Sequence, residues 1–139
     1  MLTINQRRVG EVSILDLNGT LLIPDDDVAL IGAVSRCVSN GDRLVVLNIT
    51  GLARIDAGGL GALIRSRNLL APLGGELRLV NPTRVVGELL RRTGLDSIIP
   101  TFRVEPGGDE RSNGSGPVGP SAGRPGTLWW EVSLTVAMA

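Results

Sequence analysis

The sequence contains no histidine, no lysine and no tyrosine, and its only cysteine is Cys37. Without histidine and with one thiol, the chain lacks the usual ligands of a transition-metal site, so we expect no metal and no cofactor. Cys37 cannot form an intramolecular disulfide, which fits a reducing compartment. Acid–base catalysis needs a positioned side chain with a tuned pKa, and the residue types that most often supply one are missing. We therefore expect no enzymatic activity.

The chain also lacks an excess of charge and a long apolar run. All 14 basic residues are arginines and they are balanced by 14 acids, so no overall positive field favours a nucleic-acid partner. The first residues, MLTINQRR, contain no apolar signal-peptide core. No run approaches the roughly 18 apolar residues that a membrane span requires. We expect a cytoplasmic protein that does not insert into a membrane.

The composition changes sharply near the C-terminus. With 139 residues the chain has about the length of one domain. Glycine, proline and serine supply 14 of the 22 residues from 106 to 127, without periodicity. Such a segment cannot bury enough apolar surface to offset the entropy lost on ordering. We predict a folded domain over residues 1–105, a disordered linker over 106–127 and an apolar tail of unknown role over 128–139.

Apolar periodicity predicts an alternation of strands and helices. Strand-like patterns occupy residues 2–9, 12–17, 44–49, 76–80 and 98–102, with a short segment at 20–23. Helical patterns begin at the acidic run of residues 25–27, at Asp56 and at Asn81-Pro82. Asn18-Gly19 is expected to form a tight turn. Because helices separate the strands, we predict an α/β domain with a mixed sheet of four to five strands and three helices that cover one or both faces.

The stretch from Leu44 to Ile64 contains the candidate functional residues. A buried strand gives way to a helix at Asp56-Ala57-Gly58-Gly59, where the apolar pattern changes from continuous to helical. Asp56 is placed to cap this helix, because its carboxylate can accept hydrogen bonds from backbone N–H groups two or three residues further on. The glycines permit close approach of a ligand, a partner or the neighbouring strand. The helix start is thus both a cap and a candidate docking point.

These residues resemble the STAS family, which is named for sulphate transporters and anti-sigma factor antagonists. The family motif is an apolar strand, a short loop and Asp-Ser-Ser-Gly-Leu-Gly at the start of a helix; here residues 54–55 match the loop, and the helix begins with Asp56-Ala-Gly-Gly-Leu-Gly61. Similar blocks are DLNG at 16–19, GELRLVN at 75–81 and LRRTGL at 90–95, so the resemblance spans residues 2–103. It implies a STAS-like fold and a bacterial signalling module that regulates transcription by binding proteins.

In soluble bacterial members of the family, the start of this helix docks on an anti-sigma factor that is also a serine kinase. Phosphorylation of the second serine of the motif then blocks docking. The residues that the resemblance places at the partner are Asp25, Asp56, Ala57, Gly58, Gly59, Leu60 and Gly61. Gly58 stands at the phosphoacceptor position and Ala57 before it, so neither can take a phosphate. Thr50 and Ser66 are the nearest hydroxyls, and we expect neither to substitute.

The C-terminal part departs from the family pattern. Members close with a C-terminal helix, but Pro106-Gly107-Gly108 disfavours a helix after Phe102. We expect this helix to be missing. Either the domain then lacks that cover, which exposes an apolar patch, or the tail replaces it.

Three functions are compatible with the sequence. The first is an anti-sigma factor antagonist-like protein that binds an anti-sigma factor/serine kinase without being phosphorylated. The second is an adaptor subunit of a transport or lipid-handling complex, in which the same surface holds a constant partner. The third is an anion or nucleotide site at the helix N-terminus, which the charge of Asp56 opposes. Helix capping alone also explains Asp56, and favourable interaction with a helix dipole explains the acidic run at residues 25–27.

Overall fold

The computed structural model describes residues 1–104, 110–112, 132 and 136. In chain order its strands and helices are β1 (Leu2–Val9), β2 (Val12–Leu21), α1 (Asp26–Ser39), β3 (Leu44–Ile55), α2 (Ala57–Leu70), β4 (Glu76–Val80), α3 (Arg84–Thr93), β5 (Thr101–Val104) and β6 (Glu110–Ser112). Short 3-10 turns follow α2 and α3, at Ala71–Leu73 and Leu95–Ser97. Among the described residues, no helix is long and apolar enough to cross a bilayer.

The strands form one mixed sheet in the order β1-β2-β3-β4-β5-β6. β1 and β2 pair as an antiparallel hairpin, β2 to β5 are parallel to one another, and β6 is antiparallel to β5. The predicted α/β architecture, a mixed sheet built on five strands with three helices, is confirmed. β6 is a further short strand within the segment assigned to the linker. The rest of residues 106–127 and most of the tail lie outside the described residues, so the domain boundaries stay a prediction.

The three helices pack on the same face of the sheet. The main core cluster combines strand and helix residues, among them Leu15, Leu47, Leu79, Leu30, Leu63 and Leu90. Cys37 of α1 is fully buried in this cluster, and burial raises the pKa of its thiol. Cys37 is therefore a small core residue that stays protonated at neutral pH.

A second cluster lies on the opposite face, because side chains alternate along each strand. It contains Val12, Ile14, Leu44, Val46, Val80, Phe102 and Val104 from the strands, and Val132 and Val136 from the tail. Both tail residues are helical and buried. Whether the tail replaces the family's closing helix stays a prediction, because the tail residues between and around these two lie outside the described residues.

Two predictions around the central strands were wrong. Asn18-Gly19 does not form a turn, because β2 continues through it to Leu21. Gly19 has a φ of 104° at a register shift between β2 and β3, and a Cβ there would overlap the carbonyl oxygen of Met1. Glycine at this position therefore permits the positive φ and the close approach of Met1 at an irregularity in the sheet. β3 also continues to Ile55, so residues 54–55, which the family pattern places in a loop, are the end of a strand.

The predicted cap of α3 was also wrong. Thr83, and not Asn81, is the N-cap, and its hydroxyl accepts a hydrogen bond from the Val86 N–H at 3.2 Å. Asn81 has a φ of 57°, and its side-chain oxygen accepts from the Val104 N–H at 2.6 Å. The Asn81 side chain therefore joins the end of β4 to β5. The predicted end of α3 at Gly94 is confirmed, with φ of 75°.

Candidate docking site at the start of α2

Asp56 connects the end of β3 to the start of α2 and has an extended backbone (φ −107°). Its Oδ1 accepts a hydrogen bond from the Gly59 N–H at 2.8 Å, as a capping residue does. Its Oδ2 accepts from the Ile23 N–H at 3.1 Å, and Ile23 lies in the loop between β2 and α1. The predicted cap is therefore present. The same carboxylate also fastens that loop to the helix start, which the sequence did not indicate.

The three glycines of the motif have three different environments. At Gly59, which is buried, a Cβ would overlap the carbonyl oxygen of Leu21. At Gly58, a Cβ would overlap the side chain of Ile23. At Gly61, nothing lies within 4 Å of a Cβ. The close approach that glycine permits is thus made by strand β2 at Gly59 and by the loop at Gly58, while Gly61 faces open space.

An apolar surface surrounds the position of the missing hydroxyl. We call it the α2-start surface, and it consists of Ile23, Ala57, Gly58, Leu60 and Gly61. Ile23 is 53% exposed, Ala57 is exposed, and the other three residues are half-buried. Of the residues predicted at the partner, four belong to this surface: Ala57, Gly58, Leu60 and Gly61. Gly59 is buried, and Asp56 is half-buried as the helix cap. Ile23 was not predicted, because no local pattern shows that it covers Gly58.

The three acids at the start of α1 have different environments. Asp26 is buried, and hydrogen bonds from the Leu22 N–H and the Thr20 hydroxyl to its Oδ2, 3.0 and 3.1 Å long, lower the pKa of this carboxyl. Asp27 lies 3.5 Å from Arg65 of α2. Asp25 is exposed, and its side chain makes no capping hydrogen bond. Of the three acids, Asp25 is the one whose position leaves it accessible to a partner.

No hydroxyl group lies within residues 56–61. Ser66 is fully buried, and its hydroxyl has no hydrogen-bond partner among the described residues. Thr50 is exposed, but its hydroxyl donates to Asn48 Oδ1 at 2.7 Å on β3. Burial makes Ser66 inaccessible to a kinase in the folded protein.

The start of α2 is poorly suited to a small anion. The Asp56 carboxylate already accepts from the Gly59 N–H and places a negative charge at the positive end of the helix dipole. Within the part of the chain that the structure describes, no group of three or more thiol or carboxylate side chains could hold a metal ion. The occupied N–H group and the charge of Asp56 therefore disfavour a small anion at this helix start.

A mixed sheet with three helices on one face and an Asp-capped second helix agrees with the STAS-like fold that the sequence motif predicted. A family model for the STAS domain matches residues 3–106. The chain belongs to the STAS domain family.

Solved structures with this fold include several anti-sigma factor antagonists. One is a proposed antagonist from Thermotoga maritima, with 25% identity and a TM-score of 0.65 over 70% of this chain and 84% of that one. An antagonist from Mycobacterium paratuberculosis has 20% identity and a TM-score of 0.62, over 73% and 85% of the two chains. The antagonist SpoIIAA in its unphosphorylated form has 19% identity and a TM-score of 0.62, over 71% and 87%. No curated protein matches the chain.

Proposed function

We propose that this STAS protein is an anti-sigma factor antagonist-like regulator that binds an anti-sigma factor/serine kinase through the α2-start surface, with Asp25 at its border. In this proposal, phosphorylation does not switch the binding. The observation that carries the proposal is that the helix start around Gly58 keeps its cap but lacks the hydroxyl. The Asp56 carboxylate accepts a hydrogen bond from the Gly59 N–H at 2.8 Å, while the position of the usual phosphoacceptor has no hydroxyl. The likeness to anti-sigma factor antagonists supports the class of partner.

The physical reason lies in the charge that a phosphate would add. A phosphoserine brings nearly two negative charges, which are costly in a close-packed interface beside a carboxylate. Here the side chain of Ile23 occupies the space that a Cβ at Gly58 would need. An apolar contact therefore stands where the family motif has the phosphorylatable serine. Binding would therefore persist under conditions that release a phosphorylatable relative.

A charge substitution on the surface tests the docking site. Full-length tagged protein retains its partner from cells of the source organism, the partner is identified by mass spectrometry, and the purified pair is measured by calorimetry. Ala57→Asp puts a charge on the exposed surface, yet an acid in the first helical turn favours the helix, so the variant should stay folded. We expect at least about a tenfold loss of affinity. Asn68→Asp, exposed near the other end of α2, should change affinity less than about twofold.

A phosphorylation assay tests the absence of the switch. Incubation of the wild-type protein with the partner and labelled ATP should leave residues 56–61 unlabelled and the affinity unchanged. Gly58→Ser combined with Ile23→Ala supplies both a hydroxyl and room for it, and this variant should be labelled and should lose binding. Equal affinity of Ala57→Asp and wild type, or a phosphorylation elsewhere that abolishes wild-type binding, would contradict the proposal. Stable retention of a membrane ATPase would instead favour the adaptor interpretation.

A further inference from the structure

A groove of about 530 Å³ lies between the end of β3 and α3. We call it the arginine groove; its apolar residues are Ile55, Val85 and Leu89, and its basic residues are Arg54, Arg84 and Arg92. Val85 is 68% exposed. A concave apolar surface bordered by charges is typical of an interaction site.

The groove has more positive charge than its acidic residue neutralises. Glu88 lies 2.6 Å from Arg91 and 3.7 Å from Arg92. Arg54 and Arg84 are exposed, and neither forms an ion pair with another residue in the described part of the chain. Because the whole chain is electrically neutral, this is a local excess of positive charge. It favours a negatively charged occupant.

We propose that the arginine groove binds an acidic segment of a protein partner, with carboxylates at Arg54 and Arg84 and an apolar side chain against Val85. Guanidinium groups bind carboxylates in a bidentate geometry. The apolar residues that line the groove can contact an apolar side chain, which a phosphate backbone does not offer. Within the described part of the chain, no aromatic side chain lines the groove, so this part offers nucleic-acid bases no surface on which to stack.

The groove adjoins the α2-start surface, because Ile55 directly precedes Asp56 in the chain. This inference rests on the proposed function and adds the chemistry of the partner: it presents an acidic and apolar segment beside the part that contacts α2.

Fluorescence polarisation with defined probes tests the inference without the natural partner. Two short labelled peptides are titrated against the full-length protein, one of Asp, Glu and Leu and one with lysine in place of each acid. The acidic peptide should bind the wild type, and Arg54→Glu/Arg84→Glu should weaken it at least about tenfold while gaining affinity for the basic peptide. Arg36→Glu/Arg67→Glu makes the same change in net charge on α1 and α2 and should have less than about a threefold effect.

Three outcomes would overturn the inference. The first is no binding of the acidic peptide to the wild type. The second is equal weakening by the groove variant and by the control variant, which would indicate attraction to net charge alone. The third is binding of an oligo-dT strand or of phosphatidylglycerol vesicles in preference to the acidic peptide, which would identify the site as one for nucleic acid or lipid.

The same assay separates this inference from the proposed function. Ala57→Asp should weaken peptide binding much less than Arg54→Glu/Arg84→Glu does, because it adds one charge on the α2-start surface and removes neither guanidinium group of the groove. If the peptide binds as expected but the natural partner is insensitive to Ala57→Asp, the proposed docking surface fails and the groove stands. If the natural partner responds to Ala57→Asp but not to Arg54→Glu/Arg84→Glu, the groove fails and the docking surface stands.

Discussion

Two glycines at the start of α2 should respond to alanine with opposite signs. At Gly61, an added methyl group meets nothing within 4 Å, so the helix propensity gained on replacing glycine should stabilise the protein by about 1 kcal/mol. At Gly59, the same methyl group would overlap the Leu21 carbonyl oxygen and crowd the Ile55 side chain. The carbonyl belongs to β2 and cannot move without shifting the sheet, so overpacking should cost about 3 kcal/mol. After subtraction of the propensity gain, Gly59→Ala should destabilise by about 2 kcal/mol.

Urea unfolding followed by far-UV circular dichroism measures the free energy of unfolding of both variants, and thermal unfolding followed by the same signal measures their Tm. At about 4 °C per kcal/mol for a domain of this size, Gly61→Ala should raise Tm by about 4 °C and Gly59→Ala should lower it by about 8 °C. The pair is matched, because the chemical change and the helix are the same. If both variants gain stability, Gly59 does not pack against β2 as described. If both lose it, the space beside Gly61 is occupied.

Three further predictions concern two helix caps, a buried acid and a buried hydroxyl. Asp56→Ala removes two hydrogen bonds of 2.8 and 3.1 Å and should lower the free energy of unfolding by about 2 kcal/mol. Thr83→Ala removes a cap of 3.2 Å and a long, weak bond of 3.5 Å to the Leu52 carbonyl and should lower it by about 1 kcal/mol; equal losses in urea titrations would show that the bond from Asp56 to the loop adds little. The pKa of Asp26 is lowered in the folded state, chiefly by a backbone N–H in the preceding loop, so its stabilisation is present above about pH 4 and is lost as the pH falls below that. Asp26→Asn should therefore flatten the acid side of a plot of unfolding free energy against pH, and an acid side with the wild-type slope in this variant would refute the assignment. Ser66→Ala should raise the free energy of unfolding by about 1 kcal/mol, because the buried hydroxyl lacks a partner, and a loss of stability by the same measurement would reveal a hydrogen bond at that position.

Features decided by close neighbours in sequence were the ones that the sequence predicted well. Asp56 caps α2 and Gly94 ends α3 because each acts on backbone groups a few residues away. Asn18-Gly19 and Asn81-Pro82 have equally strong local signals, yet contacts with distant strands determine their conformations. In both cases contacts within the sheet, and not the local turn or cap signal, determine the conformation of the residue.

The candidate site also combines features that the sequence shows with features that only the fold reveals. The missing hydroxyl at Gly58 is visible in the sequence, but the cover provided by Ile23 depends on a loop that precedes a different helix. The positive charge between β3 and α3 was also not predicted, because Arg54 and Arg84 come together only when the strand continues to Ile55. A balanced total charge conceals such a local excess.

The two hydrogen bonds of Asp56 have a consequence for the kinetics of recognition. Because one carboxylate joins the loop at Ile23 to the first turn of α2, the region is held in a single shape before any encounter. A binding partner then orders little additional backbone, so the entropic cost of association is small. We expect backbone shifts below about 1 Å on complex formation and an association rate limited by orientation rather than by rearrangement.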